Sequence, residues 1–436
     1  MQSTDVCKLA DNASFNRFHG LVLFWCALVI VFDGYDLAVA GIALPSIMKA
    51  YSVDATRAGF MVSSALFGMM FGNVVLGSLA DRVGRKLVIV VCIAIFSLFT
   101  AAAGFAQGPI SFSVFRFLAG VGIGGVMPNV IAQMTEYAPK RMRSMLITLM
   151  FSGYSVGGVL AALLGKSLIE SYGWQSVFIA AGLPVLLVPL VWKQMPESMA
   201  FLIRQGRLDE LRDILARLSP GYRPQRDEQF ILAGKARAGG ASFGALFAQG
   251  RGLSTVMFWL TCFLCLFMVY ALSSWLTKLM ASAGYSLGSA LTFVLVLNLG
   301  AMAGAVGGGW LADRFHIKYV LAIMYALAAV SITLLGTPLP LGMMFLMVAL
   351  AGASTIGTQI LTTAYASQFY PVEIRTTGLG VMLGVGRAGA IAAPILIGVL
   401  VGMALPLGHN FLAIGIPGAI AALSIMLVNH ARSATA

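Results

Sequence analysis

The chain has 436 residues, of which 59% are hydrophobic and only 10% charged, with 28 Lys and Arg against 16 Asp and Glu for a formal net charge of +12. So apolar a composition excludes a water-soluble enzyme or binding module and indicates an integral membrane protein. The basic excess does not indicate nucleic acid, because the basic residues gather on one side of a membrane topology.

After a polar leader containing Lys8 and Arg17, apolar windows of about 20 residues, the length that crosses a bilayer as helix, recur along the chain. The ten-residue alternation of a β-barrel strand is missing. Twelve spans are predicted, near 20–46, 58–80, 87–107, 111–135, 144–168, 174–195, 253–276, 286–311, 319–336, 341–366, 376–401 and 409–428. The first apolar run is long enough to span and carries no evident cleavage signal, so it is expected to stay as the first helix. With the N-terminus inside, Lys49, Arg57, Lys166 and Lys278 fall on the outer face and Arg116 and Arg387 inside spans. The other 22 basic residues then lie on the cytoplasmic side, the positive-inside pattern, with both termini cytoplasmic. Cys7, Cys26, Cys92, Cys262 and Cys265 lie in the leader or in apolar helices, so they are expected as small packers rather than disulfide partners or an exposed metal site. The dispersed histidines, His19, His316, His409 and His430, form no metal-ligand spacing.

The stretch "GSLADRVGRK" (77–86) returns as "GWLADRFHIK" (309–318), 232 residues later, and the same offset carries Pro139 onto Pro371, Arg143 onto Arg375 and Gly157 onto Gly389. The predicted fold class is therefore an all-α membrane protein of twelve transmembrane helices in two pseudo-symmetric six-helix halves. The N-terminal half is expected over 1–195, a cytoplasmic connector over 196–252 and the C-terminal half over 253–436. The connector contains "RLDELRDILARL", with amphipathic helical spacing, followed by the Gly/Ala-rich "AGKARAGGAS". Two parallel halves about an axis along the membrane normal imply a site near the midplane and alternating access. GxxxG pairs at Gly68/Gly72, Gly153/Gly157 and Gly300/Gly304 predict close helix approach. "GVGIGG" (120–125) fits a dinucleotide loop only in spelling, since no strand precedes it.

Charges that appear in one copy of the repeat only are candidates for chemistry, because the fold does not require them. The offset maps Asp33 to Cys265, Asp36 to Met268, Arg116 to Val348 and Arg387 to Ser155. A charge at the bilayer centre costs roughly 2.5–3.5 kcal/mol on insertion scales. In "VFDGYDLAVAGIALP" (31–45), Asp33 and Asp36 share a helix face at i, i+3, and Gly34 permits a close neighbour or a bend. Desolvation and the second carboxylate both disfavour the ionised form, so the two acids are expected to exchange protons as a coupled pair. The alternative is that each only receives hydrogen bonds or neutralises Arg116 or Arg387. Arg387, midway along the eleventh span, offers a planar fork for a carboxylate; a standing ion pair with a first-helix aspartate is the competing reading.

"GSLADRVGRK" and the fourth-span "RFLAGVGIGG" resemble the motifs of the major facilitator superfamily over nearly the whole chain. "DGYD", "MPNVIAQMTEYAPKRMRS" (127–144) and "SSWL" (273–276) resemble its aromatic acid/proton symporters, among them the benzoate carriers. The resemblance implies uptake of an aromatic monocarboxylate with protons across the bacterial inner membrane. It also implies no cofactor beyond the coupling proton, and a monomer in the bilayer. Arg116 stands at a motif position linked to proton coupling in related carriers, against the alternative of snorkelling near a helix end. Glu136 is a further coupling candidate, with a salt bridge to Arg143 or its neighbours as the alternative. Asp81, Arg82, Gly84, Arg85, Asp313 and Arg314 form the gate by resemblance, and Asp81 is expected to face a helix N-terminus. An aromatic substrate needs ring contacts; the candidates are Tyr35, Tyr154, Tyr270 and Trp275, with Asn298 as a polar contact, and core packing or a membrane-edge belt as the alternative for each. The second loop copy departs from the first at His316 and Ile317, and "PESMAFL" (196–202) matches a sugar-carrier pattern only in part. Transport of hydroxybenzoate, gallate or muconate, an energy-independent facilitator, and a non-transporting sensor are the other functions compatible with the sequence.

Overall fold

The computed structural model describes residues 3–222, 228–231, 243–430 and 433. Twelve helical spans among the described residues are long and apolar enough to cross a membrane. The leader forms β1 (Ser3–Asp5) and α1 (Val6–Asp11), and the membrane helices begin with α2 (Arg17–Tyr51), α3 (Ala55–Val83), α4 (Arg85–Ala103), α5 (Pro109–Tyr137) and α6 (Arg143–Tyr172). The sixth span is interrupted, as α7 (Gln175–Ala180), a 3-10 turn over Leu183–Leu187 and α8 (Val188–Gln194). Pro184 and Pro189 withhold backbone N–H groups there and break the ladder. The connector supplies α9 (Met199–Arg204), α10 (Leu208–Leu218) and β2 (Gln229–Ile231). The second series is α11 (Gly252–Ser282), α12 (Leu287–Arg314), α13 (Ile317–Leu334), α14 (Leu341–Phe369), α15 (Val372–Gly402) and α16 (Leu407–Leu427).

The repeat read in the sequence fixes the helix boundaries: α12, α13 and α14 begin 232 residues after α3, α4 and α5. The strand pairing was not foreseen. β1 runs parallel to β2, Ser3 opposite Gln229 through Asp5 opposite Ile231, so the leader is stitched to the connector. The amphipathic spacing of "RLDELRDILARL" is realised in α10, which buries Leu211, Ile214, Leu215 and Leu218. The stretch "AGKARAGGAS" lies outside the described residues.

The chain packs as two compact units. The first gathers Met1–Asp36, Phe67–Gly157 and Phe178–Ala238; the second gathers Leu37–Leu66, Gly158–Val177 and Gly239–Ala436. Within each, small residues let helices meet backbone to backbone, the device that replaces hydrophobic driving force in lipid. In the first unit a Cβ built on Gly72 would lie 1.9 Å from the carbonyl oxygen of Val121, and one on Gly157 would lie 2.1 Å from that of Val31. In the second unit the equivalents 232 residues on repeat the contacts, Gly304 at 2.2 Å from the Ala353 oxygen and Gly389 at 2.2 Å from that of Phe263. One close contact changes helix between the copies. Gly34 on α2 meets the backbone of Tyr154 on α6, whereas at the equivalent crossing the larger residue is Leu266 on α11 and the glycine is Gly386 on α15.

A Cβ on Gly34 would stand 2.1 Å from the Tyr154 carbonyl oxygen, and rigid backbone cannot give way as a side chain would. Gly34→Ala is therefore expected to part α2 from α6, costing about 1–3 kcal/mol of overpacking and lowering the melting temperature of the purified protein. Gly307→Ala, which adds its methyl where nothing lies within 4 Å, serves as the control with unchanged melting. Equal melting of the two variants would contradict the close-packed crossing.

Candidate substrate and proton site

The first unit holds a buried ion pair. Asp36 on α2 and Arg116 on α5 are each 1% exposed. Arg116 Nη1 donates to both carboxylate oxygens, at 2.8 and 3.0 Å, and Nη2 donates to the Asp36 carbonyl at 3.3 Å. Thr100 Oγ1 on α4 donates to the same carboxylate, and the Phe178 ring of α7 faces the guanidinium at 5.8 Å. Side chains from α4, α5 and α7 thus gather around one ion pair whose acid is on α2. Removing one partner of such a buried pair typically costs about 3–5 kcal/mol, because the other charge is left uncompensated. Arg116 therefore does not snorkel, and of the two readings for Asp36 the structure places it with Arg116. Asp33 lies one turn earlier on α2, also 1% exposed. Tyr35 is buried and Tyr154 half-buried.

The second unit holds Arg387 on α15. Its Nη1 donates to the hydroxyl of Tyr270 on α11 at 3.2 Å, which joins two residues that the sequence named separately. Trp275 is fully buried, and its Nε1 donates to the Pro394 carbonyl at 3.0 Å, tying α11 to α15. Asn298 turns its amide back onto the Val294 carbonyl at 2.9 Å, and its side chain fills the space beside Gly158. At the position equivalent to Asp33, the Cys265 thiol donates to the Thr355 carbonyl at 3.5 Å. The equivalents of Asp36 and Arg116, Met268 and Val348, are fully buried apolar side chains. Ser155, the counterpart of Arg387, is buried as well. Among the described residues no group of three or more His, Cys, Asp or Glu side chains is placed to hold a metal ion.

A second polar network lies where α4 begins. Glu136 at the end of α5 pairs with Arg85 and accepts from Ser198 Oγ at 3.0 Å and from the Ala200 N–H at 3.1 Å. Of the partners weighed for it, Arg143 or its neighbours, Arg143 pairs with Asp11 of the leader helix. Glu197, which sequence reasoning used only to weigh a sugar-carrier pattern, is buried and accepts from the Lys86 N–H at 3.1 Å and its neighbour Ser198 N–H at 2.8 Å. Gly84 precedes α4 with no side chain to cap it. Glu197 reaches across from the connector and supplies the anion that the partially positive helix start favours. Gly84 is held at φ +101°, a region that disfavours side chains, and a Cβ there would lie 2.5 Å from Glu197 Oε2. The Tyr137 hydroxyl donates to the Glu197 carbonyl, and Gln133 Nε2 to the Pro196 carbonyl at 2.6 Å.

The second loop copy solves the same problem locally. His316 stands at the N-cap of α13 and its Nδ1 accepts from the Lys318 N–H at 3.4 Å. The His430 ring packs against His316 with centroids 4.3 Å apart. Burial, and then the neighbouring His316 and Lys318, hold the His430 imidazole below its ordinary range. Arg314 lies over the Trp310 ring at 4.2 Å, and Arg82 is exposed. The side chains of Asp81 and Asp313 lie outside the described residues.

Known transporters resemble this chain in sequence, and solved structures resemble it in fold. The chain is 46% identical to a benzoate transport protein of Acinetobacter baylyi over 98% of this chain and 93% of that one. It is 36% identical to a gallate transporter of Pseudomonas putida over 98% and 96%. Among solved structures, the inward-facing, occupied form of a bacterial homolog of the human lysosomal transporter Spinster matches with a TM-score of 0.74 at 19% identity, covering 96% of this chain and 99% of that one. The inward-open xylose transporter XylE from E. coli matches with 0.73 at 17% identity, covering 93% and 95%. At those identities the structures establish the fold alone. The family model described as Major Facilitator Superfamily matches residues 26–394, and with twelve spans arranged as a duplicated six the chain belongs to that superfamily of transporters.

Proposed function

We propose that this protein carries aromatic monocarboxylates, benzoate among them, together with protons into the bacterial cell across the inner membrane, with both termini in the cytoplasm. The one observation that carries the reading is the asymmetry of the buried charges. Asp33, Asp36 and Arg116 are buried in one half of a duplicated fold where the other half buries Cys265, Met268 and Val348 without charge. Ionisable groups within a membrane are expensive and mark transport pathways. The named functions of the 46% and 36% identical relatives, benzoate and gallate transport, support an aromatic acid as the cargo.

In this reading Asp36 is committed to Arg116, and Asp33 is the acid that takes up and releases the proton. Its charged and neutral forms favour different arrangements of the two six-helix halves, which couples proton movement to alternating access. Arg387, steadied by the Tyr270 hydroxyl, receives the substrate carboxylate through charge-assisted hydrogen bonds. Tyr270, Tyr35 and Tyr154 supply ring contacts, while Trp275 and Asn298 serve the packing of their own helices. The Arg85–Glu136 pair and the Glu197 cap hold the cytoplasmic ends of α4 and α5 in one conformation and govern rate more than affinity.

Uptake of radiolabelled benzoate into cells, with and without a protonophore, tests the coupling. Asp33→Asn is expected to fold and to equilibrate benzoate by exchange yet lose concentrative uptake, down to the protonophore-treated level of the wild type; full accumulation by that variant would contradict the assignment. Arg387→Lys keeps the charge but loses the fork, and should raise the half-saturating benzoate concentration about tenfold or more, from the ~1.5–3 kcal/mol of a hydrogen bond to a charged group. An unchanged value would remove Arg387 from carboxylate binding. In the same assay benzoate is expected to outcompete 4-hydroxybenzoate and gallate.

A further inference from the structure

We propose that the groove between the start of α2 and the end of α10 binds the phosphate of an anionic phospholipid. The groove has a volume of about 500 Å³ and is lined by Asn16, Arg17, Phe18, Leu21, Arg217 and Pro220. Its charged residues are both arginines. Among the described residues neither is ion-paired, whereas Arg207 and Arg212 of the same connector segment are each paired with an acid three residues away, Glu210 and Asp209. Both cations that line the groove thus stand without an ion pair among the described residues.

The groove's walls are fixed by specific contacts. Asn16 Nδ2 donates to the carbonyls of Arg217 and Leu218 at 3.1 and 3.0 Å, and its Oδ1 accepts from the Phe18 N–H at 2.9 Å, so one side chain fastens the last turn of α10 to the first turn of α2. The Arg217 guanidinium lies over the Phe18 ring, 5.3 Å from its centroid. Stacking occupies the face of a guanidinium and leaves the in-plane N–H groups available to an acceptor. A phosphate oxygen, with its geometric match to that fork, is the acceptor this arrangement favours.

The apolar part of the ligand follows from helix geometry. Arg17, Leu21, Phe24 and Leu28 recur at i, i+4, i+7 and i+11, one face of α2 running from its start into the span. Phe24 on this face is 56% exposed. A charge at the membrane end followed by a partly exposed apolar stripe is the profile of a phospholipid: phosphate at Arg17 and Arg217, acyl chain along Leu21 and Phe24. Basic pockets at the cytoplasmic ends of membrane helices are suited to anionic head groups. The connector helix would then be moored to the leaflet at one end. The choice of the inner leaflet rests on the cytoplasmic orientation proposed above; the binding itself does not, and is tested without transport.

Native mass spectrometry of the purified full-length protein, titrated with phosphatidylglycerol or phosphatidylcholine, measures it directly. The wild type is expected to retain phosphatidylglycerol in preference to phosphatidylcholine. Arg17→Gln and Arg217→Gln, both at exposed positions, should each weaken phosphatidylglycerol binding about fivefold. Arg207→Gln combined with Arg212→Gln, a larger loss of charge elsewhere on the connector, should leave it unchanged. Equal retention of the two lipids by the wild type, or an equal loss in the Arg207/Arg212 variant, would overturn the proposal. Displacement of phosphatidylglycerol by millimolar inorganic phosphate would also overturn it, in favour of a free-phosphate site.

Discussion

The buried pair of Asp36 and Arg116 is the constraint around which the first unit is organised. Its members come from α2 and α5, Thr100 of α4 donates to the acid, and the Phe178 ring of α7 covers the guanidinium. Such a pair is not a good way to gain stability, because two apolar side chains of similar volume pack as well or better without the desolvation cost. The chain itself supplies that comparison, since the equivalent positions of the other half are Met268 and Val348, fully buried and uncharged. A fold that can be built with methionine and valine there has been built, in one copy, with a charge pair. In the proposed function that difference belongs to transport rather than to architecture.

Much of the architecture was legible in the sequence because membrane physics leaves few choices. Twenty apolar residues form a span, and a 232-residue offset fixes which helices correspond, to the point that α3, α4 and α5 start in register with α12, α13 and α14. The glycine spacing was legible as close packing for the same reason. Its detail was not: the exchange of a small residue from α2 in one copy, Gly34, to α15 in the other, Gly386, becomes visible only when the crossing helices are seen together. The pairing of β1 with β2 was hidden because three-residue strands carry no periodicity to read.

The candidate site was legible residue by residue but not in its partnerships. Hydropathy exposes Asp33, Asp36, Arg116 and Arg387 as anomalies, yet it cannot say which anion meets which cation, and Arg116 near a helix end read equally as a snorkelling group. Thr100 in an otherwise apolar stretch gave no signal of its own, and Tyr270, read as a ring contact, gave none of its bond to Arg387. Glu197 was missed because its role lies in another element: it caps α4, whose own N-cap residue, Gly84, has no side chain. The repeat held a clue, since the second copy places His316 at that cap, so a cap lacking in one copy asks for a substitute from elsewhere. Asn298 and Trp275, ligand-contact candidates by residue type, bond to the Val294 and Pro394 carbonyls, partners that residue type does not reveal.

The claim that the charge pair serves transport and not folding is tested most directly by giving the first half the residues of the second. Purified Asp36→Met/Arg116→Val protein should melt at or above the wild-type temperature, as expected when a buried pair is replaced by apolar packing, while benzoate uptake in cells falls to background. Wild-type uptake by that folded double variant would contradict the account.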